Sequence, residues 1–152
     1  MATSVAARIE QDTLPQPALF LAFELGTDTW NLGFTIGVAQ PQRVRTIPAR
    51  DVVRLQQEIA RAKQRFGLPA DAHAVSCYEA GRDGFWLHRY LVAQGITNHV
   101  IDSASIEVNR RRSRVKTDRL DAHKLFTMLL RHMAGEKKVW SVVHVPRFCR
   151  KF

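Results

Sequence analysis

The sequence predicts a single α/β domain built on a mixed five-stranded sheet flanked by helices. Three observations carry this. The stretches near residues 18–26 and 72–79 are short and almost continuously apolar or small, the pattern of strands buried on both faces. Residues 30–38 alternate strictly, with Trp30, Leu32, Phe34, Ile36 and Val38 separated by Asn31, Gly33, Thr35 and Gly37, so a second strand lies beside the first. Helical periodicity then alternates with further strand-like runs. A hairpin followed by strand–helix–strand units gives a sheet that is antiparallel on one side and parallel on the other, with helices on its faces.

Taken in order, Met1 to Pro17 is polar with two prolines and reads as a flexible N-terminal arm. The first strand, residues 18–26 (ALFLAFELG), is interrupted by one charge, Glu24. Gly26-Thr27-Asp28 reads as the turn into the second strand, residues 29–38. A weaker third strand follows Pro41, over 42–48. From Asp51 to Phe66, Val52, Leu55, Ile59, Ala62 and Phe66 form one apolar stripe, a helix that Gly67 and Pro69 stop. The fourth strand, residues 72–79, ends on a second lone acid, Glu79. Gly81 to Gly84 turns the chain into a helix over Phe85–Gln94, closed by Gly95, and a fifth strand runs over 98–102. A last helix from about Thr117 to Met133 carries Ala122, Leu125, Met128, Leu129 and Met133 on the stripe that also holds Asp118 and Asp121.

The 152 residues make one domain with a real core. Lysine and arginine number 23 against 14 acids, a formal +9, and a surplus of that size points to a polyanion, nucleic acid before an acidic membrane surface. Cys77 and Cys149 form neither a disulfide framework nor a zinc spacing, and the six histidines contain no HxxxH pair. No apolar run approaches the roughly 18 residues of a membrane span. The N-terminus lacks a signal-type apolar segment. A cytoplasmic protein with no membrane partner is expected.

The chemistry concentrates in Asn109–His123. Six of the ten residues from Arg110 to Arg119 are basic: Arg110, Arg111, Arg112, Arg114, Lys116 and Arg119. Asp118 and Asp121, at an i, i+3 spacing, share a helix face. A cation site beside a phosphate-holding cluster is what metal-assisted phosphodiester chemistry requires. The same residues also fit a solvated helix face with an ordinary Asp121–Lys124 pair. Glu24 and Glu79 each close a buried strand. A buried carboxylate is neutral, paired or metal-bound, so a salt bridge or a strand end facing water are the alternatives to a metal site. If the two strands are neighbours, four acids can gather. With no histidine or cysteine among them, they favour Mg²⁺ or Mn²⁺, two such ions standing about 4 Å apart.

The order of LAFELGTDTWNLGF (Leu21–Phe34), SCYEAGRDGFWLHRYL (Ser76–Leu91), the QGI turn (Gln94–Ile96), RVKTDRLDAHKL (Arg114–Leu125) and KVWSVVHVP (Lys138–Pro146) resembles the N-terminal DEDD domain of insertion-sequence transposases of the IS-one-ten group, kin to the pilin-gene invertases. The resemblance implies an RNase H-like (RuvC-like) domain over residues 18–146, with catalytic, metal-binding acids at Glu24, Glu79, Asp118 and Asp121. It implies DNA strand cleavage and exchange with Mg²⁺ or Mn²⁺, DNA and a structured guide RNA as partners, and a homo-oligomer in the full-length family. Two departures stand out. The first acid is ordinarily Asp and here is Glu24, one methylene longer, with the turn residue Asp28 as a fallback ligand. The family also continues into a C-terminal domain that supplies a catalytic serine, whereas this sequence ends in a basic tail, RFCRKF (Arg147–Phe152), and reads as an incomplete copy. None of Ser76, Ser103, Ser105, Ser113 and Ser141 has a matching context. A self-sufficient RuvC-like nuclease of junction-resolvase type and a non-catalytic basic DNA- or RNA-binding module remain the alternatives.

Overall fold

A computed structural model describes residues 18–37, 41–81, 84–102, 105, 122–133 and 140–146. The elements run β1 (Ala18–Leu25), β2 (Thr29–Thr35), β3 (Arg43–Pro48), α1 (Val52–Arg65), β4 (His73–Glu79), α2 (Trp86–Ala93), β5 (Thr97–Ile101) and α3 (Ala122–Met133). The five strands form one mixed sheet in the order β3-β2-β1-β4-β5. β2 is antiparallel to both β1 and β3, while β1, β4 and β5 are parallel. The expected strands and the α/β class are therefore present, with ends within a few residues of those read from the sequence.

β1 lies at the centre, and its alternation serves two cores. Leu19, Leu21 and Phe23 join Trp30, Leu32, Phe34, Leu55, Ile59, Leu87 and Leu91 beneath α1 and α2. Ala18, Phe20 and Ala22 face the other way and pack with Val75, Cys77, Leu125, Phe126 and Leu129 under α3. Each fully buried Leu or Phe contributes about 2 kcal/mol, so α3 is held chiefly by Leu125, Phe126 and Leu129. Phe126 falls beside the stripe read from the sequence, which widens the apolar face beyond a single row. The start expected for this helix near Thr117, the N-terminal arm and the basic tail lie outside the described residues.

Local chemistry sets the helix ends. The Asp51 side chain accepts a hydrogen bond from the Arg54 backbone N–H at 3.0 Å and caps α1. Gly67, at φ +70°, closes α1: its own N–H reaches the Gln64 carbonyl and that of Leu68 reaches Lys63. Gly95, at φ +81°, closes α2 in the same way through Val92 and Leu91. The first core also contains a polar ladder that hydropathy does not reveal. Ser76 Oγ donates to Asn98 Oδ1 at 2.6 Å, which turns the Asn98 amide nitrogen toward His88 Nδ1 at 3.0 Å. Burial, then the Arg89 charge, holds His88 below the ordinary imidazole range, consistent with a ring nitrogen that accepts.

Residues 141–143 are an unforeseen addition. The Val143 N–H donates to the Val100 carbonyl and the Asp102 N–H to that of Ser141, with an antiparallel bridge between Ile101 and Val142. This strip covers the outer edge of β5, and buried Trp140 anchors it in the α3 core. Among the described residues no helix is long and apolar enough to cross a membrane.

Candidate active site

The parallel register of β1 with β4 pairs Ala18 with His73 and Phe23 with Tyr78. One step further sets Glu24 beside Glu79. Side chains alternate along a strand, so both carboxyl groups fall on the α3 face, at the C-terminal ends of strands spaced about 4.8 Å apart. The chain leaves β1 toward β2 and leaves β4 toward β5. The pair therefore sits at a topological switch point, where open α/β sheets hold their ligands. The condition that the two acids share one end of the sheet is met.

Their surroundings are polar and unequal. Glu79 is half-buried; burial first, and then the charge of Glu24, pushes its carboxyl above the ordinary range. Glu24, also half-buried, accepts a hydrogen bond from Asn31 Nδ2 on β2 at 3.3 Å. Asn31 Oδ1 in turn accepts from Thr46 Oγ1 on β3 at 2.7 Å. The register lines up Thr46, Asn31 and Glu24 across three strands, with Glu79 beyond them on the fourth. Asn31 and Thr46 escape a sequence reading because they look like routine polar positions of two-faced strands. Only the pairing shows that they point along one row toward an acid.

Among the described residues neither Glu24 nor Glu79 has an ion-pair partner, so the salt-bridge alternative for Glu24 finds no support there. Asp28 is exposed in the β1–β2 turn, where its carbonyl accepts from the Ala49 N–H at 2.9 Å, in keeping with a turn role. Cys77 lies one pleat below Glu79. Burial, then the charge of Glu79, pushes its thiol far up, which makes it a core residue rather than a thiolate ligand. In the α3 core His132 meets His99 edge-on and Trp140 at a tilt, with ring centroids 5.3 and 5.8 Å apart.

Two carboxylates, completed by water and phosphate oxygens, are a donor set that Mg²⁺ accepts. The described residues contain no group of three or more Asp, Glu, His or Cys placed to hold a metal ion. Asp118, Asp121 and the basic positions Arg110, Arg111, Arg112, Arg114, Lys116 and Arg119 lie outside the described residues. α3 opens at Ala122 and packs against β1, β2 and β4 on the face that carries the glutamates.

The chain is similar to a Sinorhizobium fredii protein named "Putative transposase y4rJ", 34% identical over 132 residues, which cover 85% of this chain and 33% of that protein. The match takes in most of this chain, which spans about a third of the length of that relative, and it supports a relationship to transposases. No family model and no solved structure matches the chain.

Proposed function

We propose that the chain is the metal- and nucleic-acid-binding domain of an insertion-sequence transposase, RNase H-like (RuvC-like) in fold, serving DNA strand cleavage and exchange. The observation that carries this is the placement of Glu24 beside Glu79 at the carboxyl ends of adjacent central strands. The transposase relative and the mixed sheet with helices on both faces support the same reading. In it Asp118 and Asp121 complete a DEDD-type set with Glu24 in the first position, and DNA, a structured guide RNA and a second copy of the protein are its partners.

Glu24 and Glu79 hold Mg²⁺ or Mn²⁺, and Asn31 orients the Glu24 carboxylate. Bound there, the cation supplies charge neutralisation at a phosphodiester and activates a water or hydroxyl as nucleophile. Half-burial keeps bulk water from screening the pair, and the raised proton affinity of Glu79 makes cation binding compete with a proton at that carboxyl. The run Arg110–Arg119 holds phosphates by charge, with little sequence preference.

Titration calorimetry with Mn²⁺ tests the site: wild type binds, and Glu24→Gln and Glu79→Gln each lose most of that binding. Unchanged affinity in both variants would remove the acids from metal chemistry and leave a basic binding module. Metal-dependent nicking of supercoiled DNA by the purified chain would favour the self-sufficient nuclease.

A further inference from the structure

We infer that Arg43, Arg45, Arg61 and Arg65 form a second phosphate-binding surface, on the sheet face opposite the acid pair, which takes the backbone of a DNA duplex. It rests on the nucleic-acid reading above but uses none of the residues assigned there. The register puts Arg43 opposite Phe34 and Arg45 opposite Leu32, so both side chains belong to the α1 face of the edge strand β3. On α1, Arg61 and Arg65 are one turn apart. Glu58 ties the two elements together. It is buried, at 4% exposure, and its carboxylate accepts from Arg45 Nε at 3.1 Å and from Arg61 at 3.3 Å.

A buried acid on a helix needs a counter-charge, and a single arginine would neutralise it. Here two arginines bond one carboxylate and two more, Arg65 and Arg43, stand close enough to feel the same charges, a net excess of three positive charges. Arg43 and Arg65 have no ion-pair partner among the described residues, and both are exposed. Partial loss of water around Arg65 holds its guanidinium below the ordinary arginine value, and the neighbouring charges of Arg43, Arg45 and Arg61 lower it further. Glu58 partly offsets this. Guanidinium forks suit phosphate oxygens, and a polyanion relieves the mutual repulsion. Among the described residues no exposed aromatic side chain interleaves the four arginines, so that surface offers charge without a platform for unpaired bases. That favours a duplex backbone.

The test is fluorescence anisotropy of a labelled DNA duplex across 50–200 mM salt, with the full chain. The variant is Arg43→Gln with Arg65→Gln, which leaves both bonds to Glu58 intact. Affinity should fall about tenfold at the upper salt limit, and the log–log salt slope by about two, one per lost phosphate contact. The melting temperature should hold or rise, because two like charges are gone; a merely structural role would lower it. Arg110→Ala, Arg111→Ala and Arg112→Ala together form the comparison arm, expected to flatten the slope by about three. If that triple variant loses DNA and the Arg43/Arg65 variant keeps wild-type slope and affinity, the second surface is overturned while the nucleic-acid reading stands. If wild type binds no duplex at all, both fall. An RNA duplex arm settles the source: loss confined to RNA overturns the assignment to DNA.

Discussion

The acid pair and the arginine cluster are both collections of like charge on this sheet, and they differ in depth. Glu24 and Glu79 sit half-buried at the carboxyl ends of central strands, where water screens them poorly and each unit of charge is felt. Arg43, Arg45, Arg61 and Arg65 sit on an edge strand and an outer helix turn, open to solvent, with one buried carboxylate as their anchor. Depth selects the ligand. A pair set into the sheet suits one small, hard cation, whereas an exposed array suits an extended polyanion whose charges are spaced along a line.

The largest separation of the two should appear in metal-dependent stability. At a hundredfold excess over its dissociation constant, Mn²⁺ should stabilise the fold by about 2.7 kcal/mol, on the order of 5–10 °C in melting temperature. Glu24→Gln with Glu79→Gln should abolish that response and leave duplex binding near wild type. Asp118→Asn with Asp121→Asn should abolish it too, while raising the metal-free melting temperature; an unaltered response would exclude those aspartates. Glu24→Asp should enlarge the response.

Next in size is salt. Between 50 and 200 mM NaCl, four phosphate contacts by the exposed arginines cost DNA affinity about a hundredfold. The half-buried pair should lose only a few-fold in Mn²⁺ affinity over the same range, since buried charges are screened less. Parallel losses would erase the distinction of depth.

Smaller again is the effect of the row that orients Glu24. Asn31→Leu should weaken Mn²⁺ binding about tenfold, as loss of an outer-shell partner to a metal ligand typically does. Thr46→Val, on the exposed edge strand, should cost roughly threefold, the weight of one neutral hydrogen bond. Equal Mn²⁺ affinity in Asn31→Leu and wild type would confine that row to sheet structure.

The smallest effect is on pH dependence. The carboxyl of Glu79 binds its proton more tightly in the folded than in the unfolded chain, so the folded state retains protons as pH rises. Its contribution to metal-free stability therefore declines from the ordinary glutamate range upward and is fully lost above the raised folded value. Urea unfolding at stepped pH should show this fall, Glu79→Gln should flatten it, and Mn²⁺ should stabilise more at neutral than at acidic pH. A metal-free profile identical in Glu79→Gln would count against a desolvated acid.

Much of this frame is legible in residue order, for reasons that are local. Alternation at Trp30–Phe34, the apolar run at Ala18–Phe23 and the glycines at 67 and 95 each report a backbone requirement within one element. That Glu24 and Glu79 end buried strands is also legible. Their adjacency is not, because it depends on β1 pairing with a strand about fifty residues later. Glu58 hides for a related reason: it borders the Leu55–Ile59 stripe, and one of its two cationic partners comes from β3. The contiguous run at 110–119 draws attention to one basic region, while four arginines split between β3 and α1 become a cluster only when helix and strand meet.

The pairing of β1 with β4 also fixes when the site comes into being. The meander β1–β2–β3 pairs strands that follow one another in sequence and forms quickly, whereas β1 meets β4 only after the intervening chain through α1 has been ordered, a closure that delays non-local pairing. The glutamates become neighbours at that late step. A cation that requires both finds little to grip in the folding transition state, so it should leave the refolding rate unchanged and slow unfolding instead. Metal would then act on the lifetime of the finished domain, not on the speed with which it is made.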